Sequence, residues 1–289
     1  MAGRPHAKTF RRITFVADGG PRSLMQHMQQ RPCVLVFAGS DPSGGAGIQA
    51  DVQAVAAQGA HALTVITALT VQDNNRVYAV HPVDTALVVA QAQALRATIP
   101  VAAVKLGIAG NRANAHAIAD FIRELKMVKP DLPVILDPVL GSGHGDALAA
   151  DDALQTVAPL LQVATLILPN LPEAARLCAQ AGTSLQQAQR LMRFGCTDVL
   201  IKGGHGAASM VSNLWLHGAQ AGQWRREWLW PRLAGEFHGS GCTLASAIAG
   251  QLALGRSMEE ALHAAQAYCQ QALTGAYPIT GGQWIPART

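Results

Sequence analysis

A glycine-flanked turn late in the chain is the segment best suited to bind an anion. Gly239-Ser240-Gly241-Cys242-Thr243 directly precedes the apolar run Leu244–Leu254, which is predicted to be helical. Such a helix start presents free backbone N–H groups and the positive end of the helix dipole to one point, where they would stabilise a phosphoryl group in transfer. This field is expected to lower the pKa of the Cys242 thiol, so Cys242 is a candidate general base. The alternative is that Cys242 is a small buried packing residue.

Two acids and one lysine follow or end predicted strands. Asp137 follows Val134–Leu136, Lys202 ends Val199–Ile201, and Glu173 follows a further strand. Two carboxylates at strand ends can hold Mg²⁺ beside nucleotide phosphates, and a lysine can neutralise a phosphate as a point charge. Taken singly, each is more simply a helix cap or a surface charge. Together with the anion-binding turn, they supply the parts of a kinase.

A second glycine-rich loop, Gly39–Gly47, follows the first predicted strand. It matches neither the phosphate loop that ends in Gly-Lys-Ser/Thr nor the G-x-G-x-x-G dinucleotide pattern. Its glycines would let the backbone approach a small ligand, and Asp51 could accept a hydrogen bond from an amino or hydroxyl group. The alternative is a tight turn in which Asp51 stabilises the helix start. That helix is expected to bury Ile48, Val52 and Val55 as one stripe.

The hydrophobic pattern predicts a scaffold that brings these loops together. Short β-rich runs alternate with amphipathic or Ala-rich stretches, which is typical of a parallel sheet covered by helices on both faces. The predicted strands are Cys33–Ala38, Ala62–Leu69, Val101–Lys105, Val134–Leu136, Leu166–Leu168 and Val199–Ile201, followed by an antiparallel pair, Met210–Leu216 and Trp224–Trp230. The predicted helices are Ala46–Gln58, Thr85–Thr98, Ala113–Val128, Ala150–Leu161, Glu173–Ala181, Ser184–Phe194, Gly241–Leu254 and Met258–Thr274. In open α/β sheets, loops at the carboxyl ends of the strands form the ligand crevice.

The net charge of +4 is unevenly distributed over the 289 residues. Residues 1–31 contain six Lys or Arg and one acid, whereas residues 32–289 contain sixteen bases and seventeen acids. We therefore expect a basic N-terminal extension outside the fold and one domain over 32–289. A nearly neutral domain without a basic stripe argues against nucleic acid as a partner.

The apolar runs and the cysteines predict a cytoplasmic protein. No run reaches the roughly 18 consecutive apolar residues of a membrane span. The five cysteines show neither C-x-x-C nor metal-ligand spacing, so neither a disulfide framework nor a zinc site is expected.

In chain order, these segments resemble the ribokinase-like superfamily and, within it, the hydroxymethylpyrimidine/phosphomethylpyrimidine kinases of thiamine biosynthesis. The matching stretches are AGSDPSGGAGIQAD (38–51), VITALTVQ (65–72), VKLGI (104–108), LDPV (136–139), LPNLPEA (168–174), LIKGGH (200–205) and HGSGCTLASAIA (238–249). The resemblance implies a three-layer α/β/α sandwich with a mostly parallel central sheet, usually as a homodimer. It also implies phosphorylation of 4-amino-5-hydroxymethyl-2-methylpyrimidine, and then of its monophosphate, with ATP and Mg²⁺.

The resemblance also implies roles for individual residues. The pyrimidine would be surrounded by Gly39, Asp51, Gln72, Ile108 and Val139, with Gln72 and Asp51 as its polar contacts.

The remaining implied roles belong to the phosphates of ATP. Asp137 and Glu173 would lie by Mg²⁺ and the phosphates, and Lys202 would lie on the transferring phosphate. The anion hole would consist of Gly239, Gly241 and Cys242, with Cys242 in the base position. Many sugar-kinase and pyridoxal-kinase relatives have an aspartate there, so the cysteine favours the pyrimidine branch.

Two loops depart from the family pattern. The family often has a lysine in the loop after Asp137-Pro138-Val139, but residues 140–146 contain none, which puts the second phosphorylation in doubt. His144 could replace that cation, although an exposed loop histidine is the simpler interpretation. Gln72-Asp73-Asn74 stands where Gln-Asn-Thr is common, so one contact to the substrate is expected to differ.

Two other functions remain open at this point. A pyridoxal or pyridoxine kinase of the same superfamily would use a similar hydroxymethylated heterocycle. A non-catalytic pyrimidine-binding protein could keep the fold, but it would not require the phosphoryl-transfer residues Asp137, Glu173, Lys202 and Cys242.

Overall fold

One β-sheet organises the chain in the computed structural model, which describes residues 30–142, 145–146, 148–179, 182–206, 208–218 and 224–289. Within these residues the sheet has nine strands in the order β3-β2-β1-β4-β5-β6-β7-β8-β9. The strands are β1 Cys33–Ser40, β2 His61–Gln72, β3 Val77–Pro82, β4 Val101–Leu106, β5 Val134–Leu136, β6 Leu166–Ile167, β7 Asp198–Ile201, β8 Met210–His217 and β9 Trp224–Pro231. Strands β2, β1, β4, β5, β6 and β7 are parallel, whereas β3, β8 and β9 are added antiparallel at the two edges.

Helices cover both faces of this sheet. They are α1 Gly47–Ala57, α2 Thr85–Arg96, α3 Arg112–Val128, α4 Ala153–Leu161, α5 Leu171–Cys178, α6 Ser184–Leu191, α7 Ser240–Ala253 and α8 Met258–Thr274. Residues Pro32–Thr289 form one compact unit. The predicted three-layer α/β/α sandwich with a mostly parallel sheet is confirmed. No helix in the described ranges has the length and apolar character needed to cross a membrane.

Two apolar cores follow from the alternation of side chains along the strands. In β1, Leu35 and Phe37 pack with α2–α6 on one face of the sheet. Val34 and Val36 pack on the other face with α1, α7 and α8. Helix α7 is buried along most of its length because it lies between the sheet, α1 and α8, and its Gly250 lets it approach Gln58 at the end of α1.

Strand β3 was not predicted, whereas the bounds of the other elements agree with prediction to within three residues. The short segment Val77–Pro82 pairs with β2 across a tight loop. Helix α4 begins at Ala153 rather than Ala150 because the Asp152 side chain accepts a hydrogen bond from the Gln155 N–H and caps the helix. Helix α5 begins at Leu171, before Glu173, for the same kind of reason, with Asn170 as its cap.

The stripe predicted for α1 is wrong at one position. Ile48 and Val55 are buried, but Val52 is 41% exposed. The buried face instead contains Asp51, whose side chain is fully buried. The hydrophobic periodicity mispredicts the buried face here because α1 buries a charged residue, Asp51, which pairs with Lys105 on β4.

Helix α8 offers a test of local stabilisation. The Ser257 hydroxyl accepts from the Glu260 N–H, and the Glu260 carboxylate accepts from the Ser257 N–H. We predict that Ser257→Ala lowers the free energy of unfolding by about 0.5–2 kcal/mol, because a helix N–H loses its partner. Urea denaturation measures this. Thr98→Ala, at an exposed position, is the control and should change stability by less than about 0.5 kcal/mol; equal losses in the two variants would contradict the capping role.

Candidate active site

A cavity of about 540 Å³ lies at the carboxyl edge of the parallel strands. The ends of β1, β4, β5 and β7 contribute to its wall, together with the start of α7. Every residue predicted for the site lines this cavity except Asp51. The sheet brings the residues together because all of these strands run in the same direction.

The start of α7 approaches the charged residues of the site closely. Gly239 has a φ of +78°, and a Cβ there would overlap the carbonyl oxygen of Gly45. A Cβ on Gly241 would lie 3.1 Å from Asp137 Oδ2 and 3.4 Å from Lys202 Nζ. Glycine at position 241 therefore leaves room for a ligand between the helix start and this pair.

Lys202 is held by a carboxylate. Its Nζ lies 2.6 Å from Asp137 Oδ1, and Lys202 is only 14% exposed. Burial alone would lower the pKa of Lys202, but the carboxylates of Asp137 and Glu173 outweigh it and raise the pKa. Lys202 is therefore a fixed positive charge at the cavity wall.

Glu173 combines a structural role with a shifted pKa. Its carboxylate accepts from the Asn170 N–H at 2.8 Å and closes the capping box of α5. The pKa of Glu173 is raised to about 7, because burial and the nearby Asp137 carboxylate outweigh the opposing effect of Lys202. The shift shows that the two carboxylates share one electrostatic environment.

The expectation of a lowered pKa for Cys242 is wrong. Burial raises the pKa of this thiol, and Asp51 and Asp137 add to the increase, although Lys105 opposes it. The helix start alone therefore does not make Cys242 a thiolate. The thiol nevertheless lines the cavity, beside Gly241 and Lys105.

Asp51 is separated from the cavity by its partner, so its expected contact with the substrate stays a prediction. Asp51 is fully buried and does not line the cavity. Its carboxylate lies 2.8 Å from Lys105 Nζ and accepts from the Ser246 hydroxyl at 2.7 Å. Lys105, rather than Asp51, reaches the cavity wall.

The other residues predicted around the pyrimidine line the cavity. Gly39 lies against Ile108, since a Cβ on Gly39 would come within 2.6 Å of Ile108 Cδ1. Gln72 ends β2, and Val139 follows β5. The side chains of Ile108 and Val139 give this end of the cavity its apolar surface, and Gln72 adds an amide.

Sequence reasoning missed several polar residues that build the site. Asp41 is 1% exposed, accepts from the Ala46 N–H at 2.7 Å and pairs with His238 Nε2 at 2.8 Å. These contacts join the two glycine-rich loops. Arg288 also joins them, since it donates to Thr243 Oγ1 and to the carbonyl oxygen of Gly45. Asp41 and His238 belong to matched motifs, but residue type alone did not indicate their partners.

The loop without a lysine is held by an arginine from β2–β3. Arg76 lines the cavity and lies 2.6 Å from Asp146, whose pKa it lowers. Asp146 also accepts from the Val77 N–H at 3.0 Å. His144, the candidate replacement for the missing lysine, lies outside the described residues.

Comparison with known proteins identifies relatives over most of the chain. Residues 41–286 match the family described as Phosphomethylpyrimidine kinase. A hydroxymethylpyrimidine/phosphomethylpyrimidine kinase from Streptomyces coelicolor is 40% identical, with 87% of this chain and 92% of the relative covered. An ADP complex of Bacillus subtilis pyridoxal kinase has a TM-score of 0.78 at 26% identity, over 90% of this chain and 98% of that one. The crystal structure of a phosphomethylpyrimidine kinase from Clostridium difficile has a TM-score of 0.70 at 30% identity, over 84% of this chain and 100% of that one.

The pKa of Glu173 predicts how stability depends on pH. Folding raises this pKa from 4.5 to about 7, so between these pH values the folded protein holds a proton that the unfolded chain releases. The free energy of unfolding should therefore fall across this window as pH rises. Glu173→Gln keeps an acceptor for the Asn170 N–H and removes the titration.

The measurement is urea unfolding of both proteins in EDTA at pH 5 and pH 8. We expect the stability of the wild type relative to Glu173→Gln to fall by an amount on the order of 2 kcal/mol between the two values. Glu124→Gln, at a half-exposed helical position, is the control. A difference that does not change with pH would refute the buried, proton-binding state of Glu173.

Proposed function

The chain belongs to the phosphomethylpyrimidine kinase family, and we propose that it is a kinase of thiamine biosynthesis. It transfers the γ-phosphoryl group of ATP first to 4-amino-5-hydroxymethyl-2-methylpyrimidine and then to the monophosphate of that alcohol. One observation supports this function most directly. The anion-binding start of α7 lies against the Asp137–Lys202 pair, with the apolar surface of Ile108 and Val139 in the same cavity.

The chain's own residues supply most of what phosphoryl transfer requires. The transferring group carries negative charge on its oxygens, so catalysis depends on positioning and electrostatic stabilisation. Lys202 and the backbone N–H groups at Gly241 and Cys242 stabilise that charge. Gly39, Gln72, Ile108 and Val139 hold the pyrimidine, so that its hydroxymethyl oxygen faces the same point.

Cys242 accepts the proton of the hydroxymethyl group in this proposal. Burial favours the neutral thiol, whereas Lys105 and the helix dipole favour the thiolate that a base must be. In a loose transition state, the bond from the phosphoryl group to ATP is largely broken before the hydroxymethyl group has lost its proton. A weakly populated thiolate is therefore sufficient, and positioning by the helix start contributes most of the rate.

The donor set fits Mg²⁺ only together with the nucleotide. No group of three or more His, Cys, Asp or Glu side chains that could hold a metal occurs among the described residues. Asp137 and Glu173 are nevertheless two carboxylates in one electrostatic environment, and Mg²⁺ is commonly bound by one or two carboxylates plus phosphate oxygens and water. These two residues would hold the ion, which would neutralise charge on the phosphates of ATP.

We further propose that the enzyme is a homodimer of the cytoplasm. Leu69, Val71 and Tyr78 on β2 and β3 are 53%, 50% and 67% exposed, and a second copy would bury such an apolar surface. Cys178, Cys196, Cys242 and Cys269 are free thiols among the described residues, which fits a reducing compartment.

A substrate comparison tests the proposed function. With ATP and Mg²⁺, we expect turnover of the pyrimidine alcohol and of its monophosphate, each with a higher kcat/KM than pyridoxal. A coupled ADP-release assay measures all three. A higher kcat/KM for pyridoxal would instead make the protein a vitamin B6 kinase, and folded protein that turns over neither pyrimidine would exclude the proposal.

The role of Cys242 has a separate test. Cys242→Ala should lower kcat about 10²–10⁴-fold if the thiol is the base, with little change in KM for ATP. Cys178→Ala is the matched control, because Cys178 is half-buried in α5 and does not line the cavity. A change in kcat no larger than that of the control would assign Cys242 to packing.

A further inference from the structure

A buried ion pair includes one residue of the cavity wall, Lys105, and the mechanism above uses this pair only through the effect of Lys105 on Cys242. Lys105 Nζ lies 2.8 Å and 2.9 Å from the two carboxylate oxygens of Asp51, and all of the side-chain surface of both residues is buried. The Ser246 hydroxyl donates to the same carboxylate at 2.7 Å. Strand β4, helix α1 and helix α7 thus each contribute one member.

The pair has a defined orientation. Asp51 does not line the cavity, whereas Lys105 does, together with Gly107 and Cys242. A Cβ on Gly107 would lie 3.0 Å from Lys105 Nζ, so glycine at 107 leaves the space beside the ammonium open. Lys105 is therefore the member of the pair that lies at the cavity wall, and Asp51 lies behind it.

Stability alone gives little reason to keep such a pair. Desolvation of two charges is costly, and replacement of a buried pair by apolar residues is often neutral or stabilising. An ammonium has three N–H donors, and among the described residues Lys105 donates to a single carboxylate. Lys105 thus has donor capacity for a ligand oxygen.

The surroundings of Lys105 indicate which oxygen that is. Lys202 lies with Asp137 and Glu173, the residues proposed for Mg²⁺ and the nucleotide phosphates. Lys105 instead lies beside Gly107, which precedes Ile108, one of the residues proposed to hold the pyrimidine. The first substrate offers a neutral hydroxyl oxygen at this place, whereas the monophosphate offers an anionic phosphate.

We propose that Lys105 binds the phosphate of the monophosphate substrate and thereby sets the preference for the second phosphorylation over the first. A charged acceptor forms a stronger hydrogen bond with an ammonium than a neutral hydroxyl does. Asp51 and Ser246 are positioning residues, which hold the ammonium toward the cavity. This inference rests on the proposed pyrimidine substrates.

The test replaces the whole pair, because loss of Lys105 alone would leave a buried carboxylate without its partner. In the double variant Lys105→Met/Asp51→Leu, the ratio of kcat/KM for the monophosphate to kcat/KM for the alcohol should fall about 10- to 100-fold. Calorimetry without ATP should show a matching loss of affinity for the monophosphate. Lys126→Met, which removes a partly buried lysine whose ammonium binds the Val163 carbonyl, is the control and should leave the ratio unchanged.

Each outcome bears on a different statement. An unchanged ratio, or an equal loss for the two substrates, would overturn the role of Lys105 while wild-type turnover still supports the proposed function. Wild-type protein that turns over neither pyrimidine would refute the proposed function. The role of Lys105 is then judged from the affinity of the wild type for the monophosphate, and an absence of binding would overturn that role. If circular dichroism shows that the Lys105→Met/Asp51→Leu variant is not folded, the variant Lys105→Gln/Asp51→Asn replaces it. This second variant keeps the side-chain lengths and allows the same comparison of the two substrates.

Discussion

The close approach of the α7 start to the Asp137–Lys202 pair is the constraint on which the site depends. A Cβ at position 241 would come within 3.1 Å of the carboxylate, so glycine keeps open the space where a phosphoryl group would bind. The approach in turn requires α7 to be buried between the sheet, α1 and α8. Packing far from the cavity thus fixes the distance between backbone N–H groups and charged side chains.

Charge within the cavity wall is balanced residue by residue. Lys202 pairs with Asp137, Lys105 pairs with Asp51, and His238 pairs with Asp41. Each carboxylate belongs to a different element from its partner, so the pairs also join strands, helices and loops. Because Lys202, Lys105 and His238 line the cavity, its wall offers N–H groups to anionic ligands although the domain is nearly neutral.

The basic net charge of the chain therefore does not explain attraction of ATP. Residues 1–31 carry the excess of Lys and Arg, whereas Lys105, Lys202 and the start of α7 are groups of the cavity wall that can interact with an anion. Such groups are effective because the low dielectric of the interior strengthens their interaction with a bound anion.

Local patterns in the sequence predict the layered sheet and most strand and helix bounds, because apolar runs and glycine-rich turns are local features. Ten of the eleven residues expected at the site line the cavity, and three of these, Gln72, Ile108 and Val139, are expected only from the family resemblance. Only the tertiary structure decided that Asp51 is buried behind Lys105, that Val77–Pro82 forms an edge strand, and that burial raises the pKa of Cys242. These properties depend on partners far away in the chain. The burial of a side chain and its distance from other charges depend on how distant segments pack together, so a local sequence pattern does not encode them.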